Sequence, residues 1–154
     1  MECPQPHTIL AAVDGSENSR RAMDYLARWA ACNPAARVVL VHVVKEPGRD
    51  VLPDKDERDV YVGKKRKAGE KMVDEAAQRL ESMGVPEDQV SRKMVACKPP
   101  ATVADALLKE KKEGGYDTMV LGRRGMSKKE EYIFGSVTNH LIREAANISV
   151  WVVA

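Results

Sequence analysis

The chain has 154 residues, and its 25 lysines and arginines nearly balance 23 aspartates and glutamates, for a formal net charge of +2 at pH 7. This charge and a single phenylalanine leave no basic stripe or stacking platform, so nucleic acid is not an expected partner. No apolar run approaches the roughly 20 residues that span a bilayer, and the N-terminus lacks the features of a signal peptide. We expect a cytoplasmic protein without a membrane partner, folded as one domain over residues 1–154 with its core over about 8–154.

Apolar patterning predicts strands that alternate with helices along the chain. Such alternation is typical of an α/β fold, a Rossmann-like doubly wound domain in which helices cover both faces of a mainly parallel sheet. The segment 45–63 has prolines, charges and no apolar periodicity, so a functional or mobile loop, with or without a short helix, is expected there. The predicted strands cover 8–13, 38–44, 89–96, 117–121 and 148–153, and the predicted helices cover about 22–30, 64–83, 103–111 and 136–146.

A glycine-punctuated loop follows the fourth predicted strand. Its pattern is Gly122-x-x-Gly125, nine residues, then Gly135-Ser136, where the last helix begins. Glycines allow a backbone to approach a ligand closely, and a helix start attracts anions through its free N–H groups and dipole. The loop therefore predicts a phosphate site, although it is not the Gly-x-x-x-x-Gly-Lys-Ser/Thr loop. The alternative is that these glycines only turn the chain and start a helix.

A polar residue, Asp14, directly follows the first predicted strand. In a five-stranded sheet of order 3-2-1-4-5, the strand order reverses between strands one and four, and ligands bind outside the carboxyl ends of the strands there. Asp14 and Gly122 then lie at one crevice, although Asp14 is also suited to cap the next helix. His42, inside an apolar strand, is expected to be a packed, hydrogen-bonded histidine and not a catalytic one.

These motifs together resemble the ATP-binding branch of the universal stress protein family, over about 8–154. The resemblance rests on Asp14-Gly15-Ser16, on His42-Val43 and on the glycine pattern from Gly122 to Ser136. It implies ATP as the ligand. This chain's loop also carries arginines, and Arg123 or Arg124 is suited to add a charge-assisted contact to phosphate. The nucleotide-binding residues that it implies are Val13 and Asp14 at adenine or ribose, Val43 over the adenine face, Gly122 and Gly125 near ribose and phosphates, and Gly135, Ser136 and Val137 at the phosphates.

The function that the resemblance implies is that of a nucleotide-dependent switch in stress response or signalling. A slow ATPase is one alternative, although no residue is assigned as a catalytic base. A nucleotide-independent dimeric adaptor with a vestigial site is another. Magnesium or manganese on the phosphates is compatible with the pattern, and its protein ligands stay unassigned because no carboxylate cluster identifies them.

Two further features bear on the site and on assembly. Cys97-Lys98-Pro99 stands where many relatives have Gly-x-Pro after the third strand, which alters the expected pocket wall. The last strand, 148–153, is apolar and is expected at the sheet edge, where exposed strands usually pair. Homologues that resemble this chain commonly dimerise through it. We predict a symmetric homodimer with Val150 and Val152, or Trp151 and Val153, at the interface.

Overall fold

The computed structural model describes residues 7–123 and 134–154. Within them, five parallel strands form one sheet of order β3-β2-β1-β4-β5, which confirms the predicted fold class and strand order. The strands are β1 (Thr8–Ala12), β2 (Arg37–Lys45), β3 (Val90–Cys97), β4 (Thr118–Gly122) and β5 (Ser149–Val153). The helices are α1 (Glu17–Ala31), α2 (Lys55–Ser82), α3 (Val103–Gly114) and α4 (Ser136–Glu144).

Two apolar layers form the core, one on each face of the sheet. Ile9 and Ala11 point from β1 toward α1 and α2, whereas Leu10 points toward α3 and α4. This is the alternation expected along any strand, and each face is apolar because helices cover both. Complete burial of a side chain such as Leu10 or Leu26 contributes about 1.5–3 kcal/mol, so both helical layers are firmly attached.

Local polar groups determine where the helices begin and end. The Ser16 side chain caps α1 by accepting a hydrogen bond from the Ser19 N–H at 3.1 Å. Thr102 and Asp105 form a reciprocal capping box at the start of α3. Gly115 ends α3 in the left-handed conformation, at φ 64°, which glycine adopts without steric cost. Together these caps fix the ends of α1 and α3 relative to the sheet.

The predicted loop over 45–63 is wrong in its second half. Only residues 46–54 connect β2 to α2, and residues 55–63 form the first turns of α2. Asp54 caps this helix by accepting the Glu57 N–H at 2.9 Å. The buried residues of α2 begin only at Gly69, so its first half has no apolar face for the sequence pattern to reveal. No helix in the described part of the chain, including this longest one, is apolar enough to cross a membrane.

Candidate functional site

The carboxyl ends of β1, β2 and β4 bring the predicted site residues together. Ala12 lies beside Val41 in the β1–β2 register, and Ala11 lies beside Val120 in the β1–β4 register. Extending both registers sets Asp14 beside Val43 and Val13 beside Gly122. The connections that leave β1 and β4 turn to opposite faces of the sheet, since α1 and α4 belong to different layers. This is the switch point at which open α/β sheets bind ligands.

The loop between β1 and α1 is held by its own polar side chains. Oδ1 of Asp14 accepts a hydrogen bond from the Ser16 N–H at 2.9 Å, and the Asp14 N–H donates to Oγ of Ser19 at 3.3 Å. Asp14 therefore stabilises the turn that precedes α1, while Ser16 is the helix cap. The carboxylate is half-buried and keeps its place at the crevice. Its structural role and a role in ligand contact are compatible.

Both backbone polar groups of Val13 already have partners. Its N–H donates to the Val41 carbonyl at 2.8 Å, and its carbonyl lies 2.7 Å from Nδ1 of His42. The His42 ring packs on Gly69 of α2, where a side chain would collide with it. The prediction of a packed, hydrogen-bonded histidine is confirmed. The Val13 side chain points toward α1 and α2, whereas Val43 packs against the α3–α4 layer, so the two valines face opposite sides of the sheet.

Gly122 lies where β4, α1 and α4 meet. A Cβ built on it would be 2.7 Å from the Asn18 carbonyl carbon and 2.8 Å from the Ser19 nitrogen. These are backbone atoms of the first turn of α1, and they leave no space for a side chain. On α4, the buried Thr138 hydroxyl donates to the Gly122 carbonyl at 3.1 Å. The glycine is therefore required by helix packing, independently of any ligand.

The start of α4 forms the other wall of the crevice. Gly135 is its N-cap residue, with φ −64° and ψ 162°, and contributes no side-chain cap. The Gly135 N–H donates to the Arg123 carbonyl at 3.0 Å, so that N–H is already used. The next N–H groups, those of Ser136 and Val137, have no acceptor inside a regular helix. The Ser136 side chain is exposed.

The backbone of Arg123 adjoins this helix start, since its carbonyl accepts the Gly135 N–H. Its N–H donates to the Val153 carbonyl at 2.7 Å, which joins the end of β4 to β5. Its Nε is buried and has no hydrogen-bond partner among residues 7–123 and 134–154. A buried N–H of this kind loses free energy unless an acceptor reaches it. An uncapped helix start and an unsatisfied cationic donor are each suited to bind an anion.

Cys97 is the last residue of β3, where the sequence departs from the expected Gly-x-Pro pattern. Its side chain is buried, and Sγ donates to the Ala101 carbonyl at 3.2 Å. Burial raises the pKa of the Cys97 thiol, which outweighs the lowering effect of nearby Lys45. The thiol is therefore held protonated and makes part of the loop that follows β3, on the side of the crevice that Val43 faces.

Two expectations remain outside these observations, and one residue was missed. Gly125 lies outside the described residues. No group of three or more histidine, cysteine, aspartate or glutamate side chains suited to a metal occurs in the parts of the chain that the structure describes.

Thr138 was not predicted as a site residue. Thr138 is the third residue of α4 after the Gly135 N-cap. A side chain at that position reaches back toward the preceding strand, so this spacing could have predicted its contact.

Comparison with known proteins identifies relatives of this architecture. The model of the universal stress protein family matches residues 6–154. The structure is similar to that of the universal stress protein UspA from Lactobacillus plantarum, at 16% identity and a TM-score of 0.83, covering 99% of this chain and 100% of that one. No curated protein matches the chain.

Two further solved structures have higher sequence identity. A universal stress protein family member from Burkholderia pseudomallei is 25% identical, with a TM-score of 0.71 and coverage of 99% of this chain and 98% of that one. A universal stress protein crystallised in complex with cAMP is 26% identical, with a TM-score of 0.66 and coverage of 96% and 97%. The family model and the shared architecture therefore agree over nearly the whole chain.

Proposed function

This chain belongs to the universal stress protein family, and we propose that it binds ATP at the carboxyl edge of its sheet and acts as a nucleotide-dependent switch in stress response or signalling. The observation that carries the proposal is the start of α4, which no side chain caps and which the Gly135 N–H joins to the Arg123 carbonyl at the end of β4. A phosphate there supplies an acceptor to the free N–H groups of this helix start. A relative that binds cAMP supports an adenine nucleotide as the ligand.

The described residues fit the parts of ATP in distinct ways. The N–H groups of Ser136 and Val137, with the Ser136 hydroxyl, bind phosphate oxygens, because these donors lie at the positive end of the helix dipole. Gly135 contributes the absence of a side chain and not an N–H, since its own N–H is bonded to Arg123. Val43, half-buried on the α3–α4 face, covers the adenine. Magnesium or manganese, when bound, neutralises charge on the phosphates.

A bound nucleotide joins parts of the protein that are otherwise linked only through the sheet. Asp14 belongs to the loop before α1, whereas Ser136 begins α4 on the other face. Contacts to both connect the loop before α1 with the start of α4, and rearrangement around bound phosphates is an established switching mode. The described residues supply no base positioned for hydrolysis, which disfavours fast turnover.

Calorimetry on nucleotide-stripped protein tests the proposal. ATP with magnesium and cAMP are titrated separately, and the nucleotide is followed by chromatography in the same samples. Micromolar binding of intact ATP is the expected result. Steady ADP production would favour the slow ATPase instead, and stronger binding of cAMP than of ATP would favour a cyclic-nucleotide receptor. Absence of binding by the folded protein would refute the proposal and favour the dimeric adaptor with a vestigial site.

A matched pair of substitutions separates ligand binding from folding. Gly135 has a negative φ, so any residue fits its backbone conformation. Aspartate and asparagine are equally good N-cap residues, and both are expected to retain the folding stability. Gly135→Asp places a carboxylate where the phosphates bind. It should lower the affinity for ATP at least tenfold more than Gly135→Asn does, which corresponds to about 1.4 kcal/mol of repulsion. Affinities of both variants equal to that of the parent protein would contradict a phosphate site at this helix start.

We also propose that two copies pair through β5. This strand lies at the sheet edge, bonded to β4 alone among the described strands. Val150, Trp151, Val152 and Val153 are all only partly buried within one copy. An edge strand of four partly exposed apolar residues gains free energy when a second copy covers it.

A further inference from the structure

A cleft of about 490 Å³ lies between α1 and α2, on the face of the sheet away from α3 and α4. Its apolar lining comes from Val13 of the sheet, Met23 of α1, and Met72 and Ala76 of α2. The volume is within the range of about 300–1,000 Å³ that is typical of small-molecule sites. Because methionine side chains are flexible and polarisable, such a lining adapts to varied apolar shapes.

Gly15 and Met72 form the upper end of this cleft. Gly15 has φ 77°, and a Cβ on it would be 3.1 Å from the sulfur of Met72. A larger residue at position 15 would therefore be strained and would push Met72 into the cleft. The cleft stays open because the backbone of the loop before α1 carries no side chain here.

The rim of the cleft carries one more positive than negative charge. Arg20, Lys71 and Arg79 face it, with Asp24 and Glu75. Nε of Arg79 donates to Asp24 at 2.7 Å, which joins the two helices. Nζ of Lys71 lies 3.9 Å from Glu75 along α2. Arg20, in contrast, makes no side-chain hydrogen bond or ion pair within the described part of the chain.

We propose that this cleft binds a small amphipathic monocarboxylate, with its apolar body on Met23, Met72 and Ala76 and its carboxylate at Arg20. The guanidinium of arginine suits a carboxylate because its N–H groups match the two oxygens. An uncharged apolar ligand would leave that charge unused, and a dianion would meet Asp24 and Glu75. This inference does not depend on the proposed nucleotide site.

Methionine methyl NMR tests the occupancy directly. The chain has seven methionines, and labelled methyl groups report on each of them. Octanoate is the probe, and octanamide is its uncharged match. Octanoate should shift the signals of Met23 and Met72, assigned by conservative leucine substitutions, and leave Met119, which is buried in the opposite layer, unchanged. Absence of shifts at both cleft methionines up to millimolar octanoate would overturn the proposal, and so would shifts confined to other methionines.

Two neighbouring arginines supply a matched control for the carboxylate contact. Arg20→Gln should lower the affinity for octanoate about tenfold, because one charge-assisted contact is lost. The affinity for octanamide should not change. Arg21 pairs with Glu17 and is not part of the cleft lining, so Arg21→Gln should change the affinity for neither compound. Equal loss in both variants would show only a general effect of charge and would refute the role of Arg20.

A cleft-filling variant distinguishes a small ligand from a second copy of the chain. Ala68 lines the cleft and is exposed, so Ala68→Phe should fill the space without disturbing the core and should abolish the octanoate shifts. Retained shifts in this folded variant would contradict the assigned position. If the signals of Met23 and Met72 instead change with protein concentration alone, another copy occupies the cleft and the proposal is wrong.

Discussion

Replacement of Gly122 by alanine tests whether this motif glycine is required by packing. The added Cβ would be 2.7 Å from the Asn18 carbonyl carbon and 2.8 Å from the Ser19 nitrogen. Neither atom can move alone, because both belong to the backbone at the start of α1. Farther along α1, Met23 and Leu26 are almost fully buried, so the helix is not free to shift away. Gly122→Ala is therefore expected to destabilise the protein even without nucleotide.

The magnitude follows from the cost of overpacking. Forcing one methyl group into a well-packed core costs about 1–3 kcal/mol. For a domain of this size, each kcal/mol lowers Tm by about 2–4 °C, so a decrease of roughly 2–12 °C is expected. Thermal and urea unfolding of nucleotide-free protein, followed by circular dichroism, measure it. Gly63→Ala is the control, since Gly63 has no atom within 4 Å of its Cβ position and alanine there should stabilise the helix by about 1 kcal/mol.

One outcome would refute this reasoning. If Gly122→Ala unfolds at the same temperature and urea concentration as the parent protein but no longer binds ATP, the glycine serves ligand approach and the packing argument fails. A destabilised variant that still binds ATP when folded would support the packing argument and would show that a methyl group at this position does not enter the nucleotide site.

Two further predictions concern assembly and alkaline stability. Val152→Lys should give monomers in sedimentation velocity while Val152→Thr stays dimeric, and a dimeric lysine variant would contradict pairing through β5. Burial, and next the hydrogen bond to Glu110, raise the pKa of the Tyr116 hydroxyl. Unfolded tyrosine ionises near pH 10 while folded Tyr116 stays protonated, so its stabilisation is fully present below about pH 10 and is lost above it. Tyr116→Phe should remove part of this alkaline slope in urea titrations and cost about 1–2 kcal/mol at neutral pH, because buried Glu110 loses a donor. Tyr25→Phe, at an exposed tyrosine, is the control. If Tyr116→Phe leaves the fall in unfolding free energy above pH 10 unchanged, Tyr116 is not its source.

The sequence predicted the strand order and the edge at which the site lies, because alternation of strands and helices restricts the topology strongly. It also predicted that Asp14 follows the first strand and that Gly122 lies at the end of the fourth. It failed over 55–63, since the first half of α2 has no buried residue and so lacks an apolar stripe. Helix formation there depends on the Asp54 cap and on local charge pairs such as Lys55 with Asp59, which are weak signals in a charged segment.

Several properties of the site depend on distances that no linear pattern contains. The contact of Gly122 with α1 depends on how closely a helix lies against a strand. The use of the Gly135 N–H by Arg123 depends on how β4 and α4 are joined, and it removes one donor that the motif implied for phosphate. The cleft beside Met72 is lined by side chains of both α1 and α2. These properties are determined by three-dimensional packing and not by residue type.

The two halves of helix α2 differ in how firmly they are packed against the rest of the domain. Its 28 residues extend about 42 Å at 1.5 Å per residue, but burial begins only at Gly69. The exposed half is therefore free to unfold locally while the domain stays folded. At the boundary, Gly69 packs on His42, whose ring is bonded to the Val13 carbonyl. A partner that binds the exposed half of α2 and keeps it helical would therefore act, through Gly69 and His42, on Val13 next to Asp14.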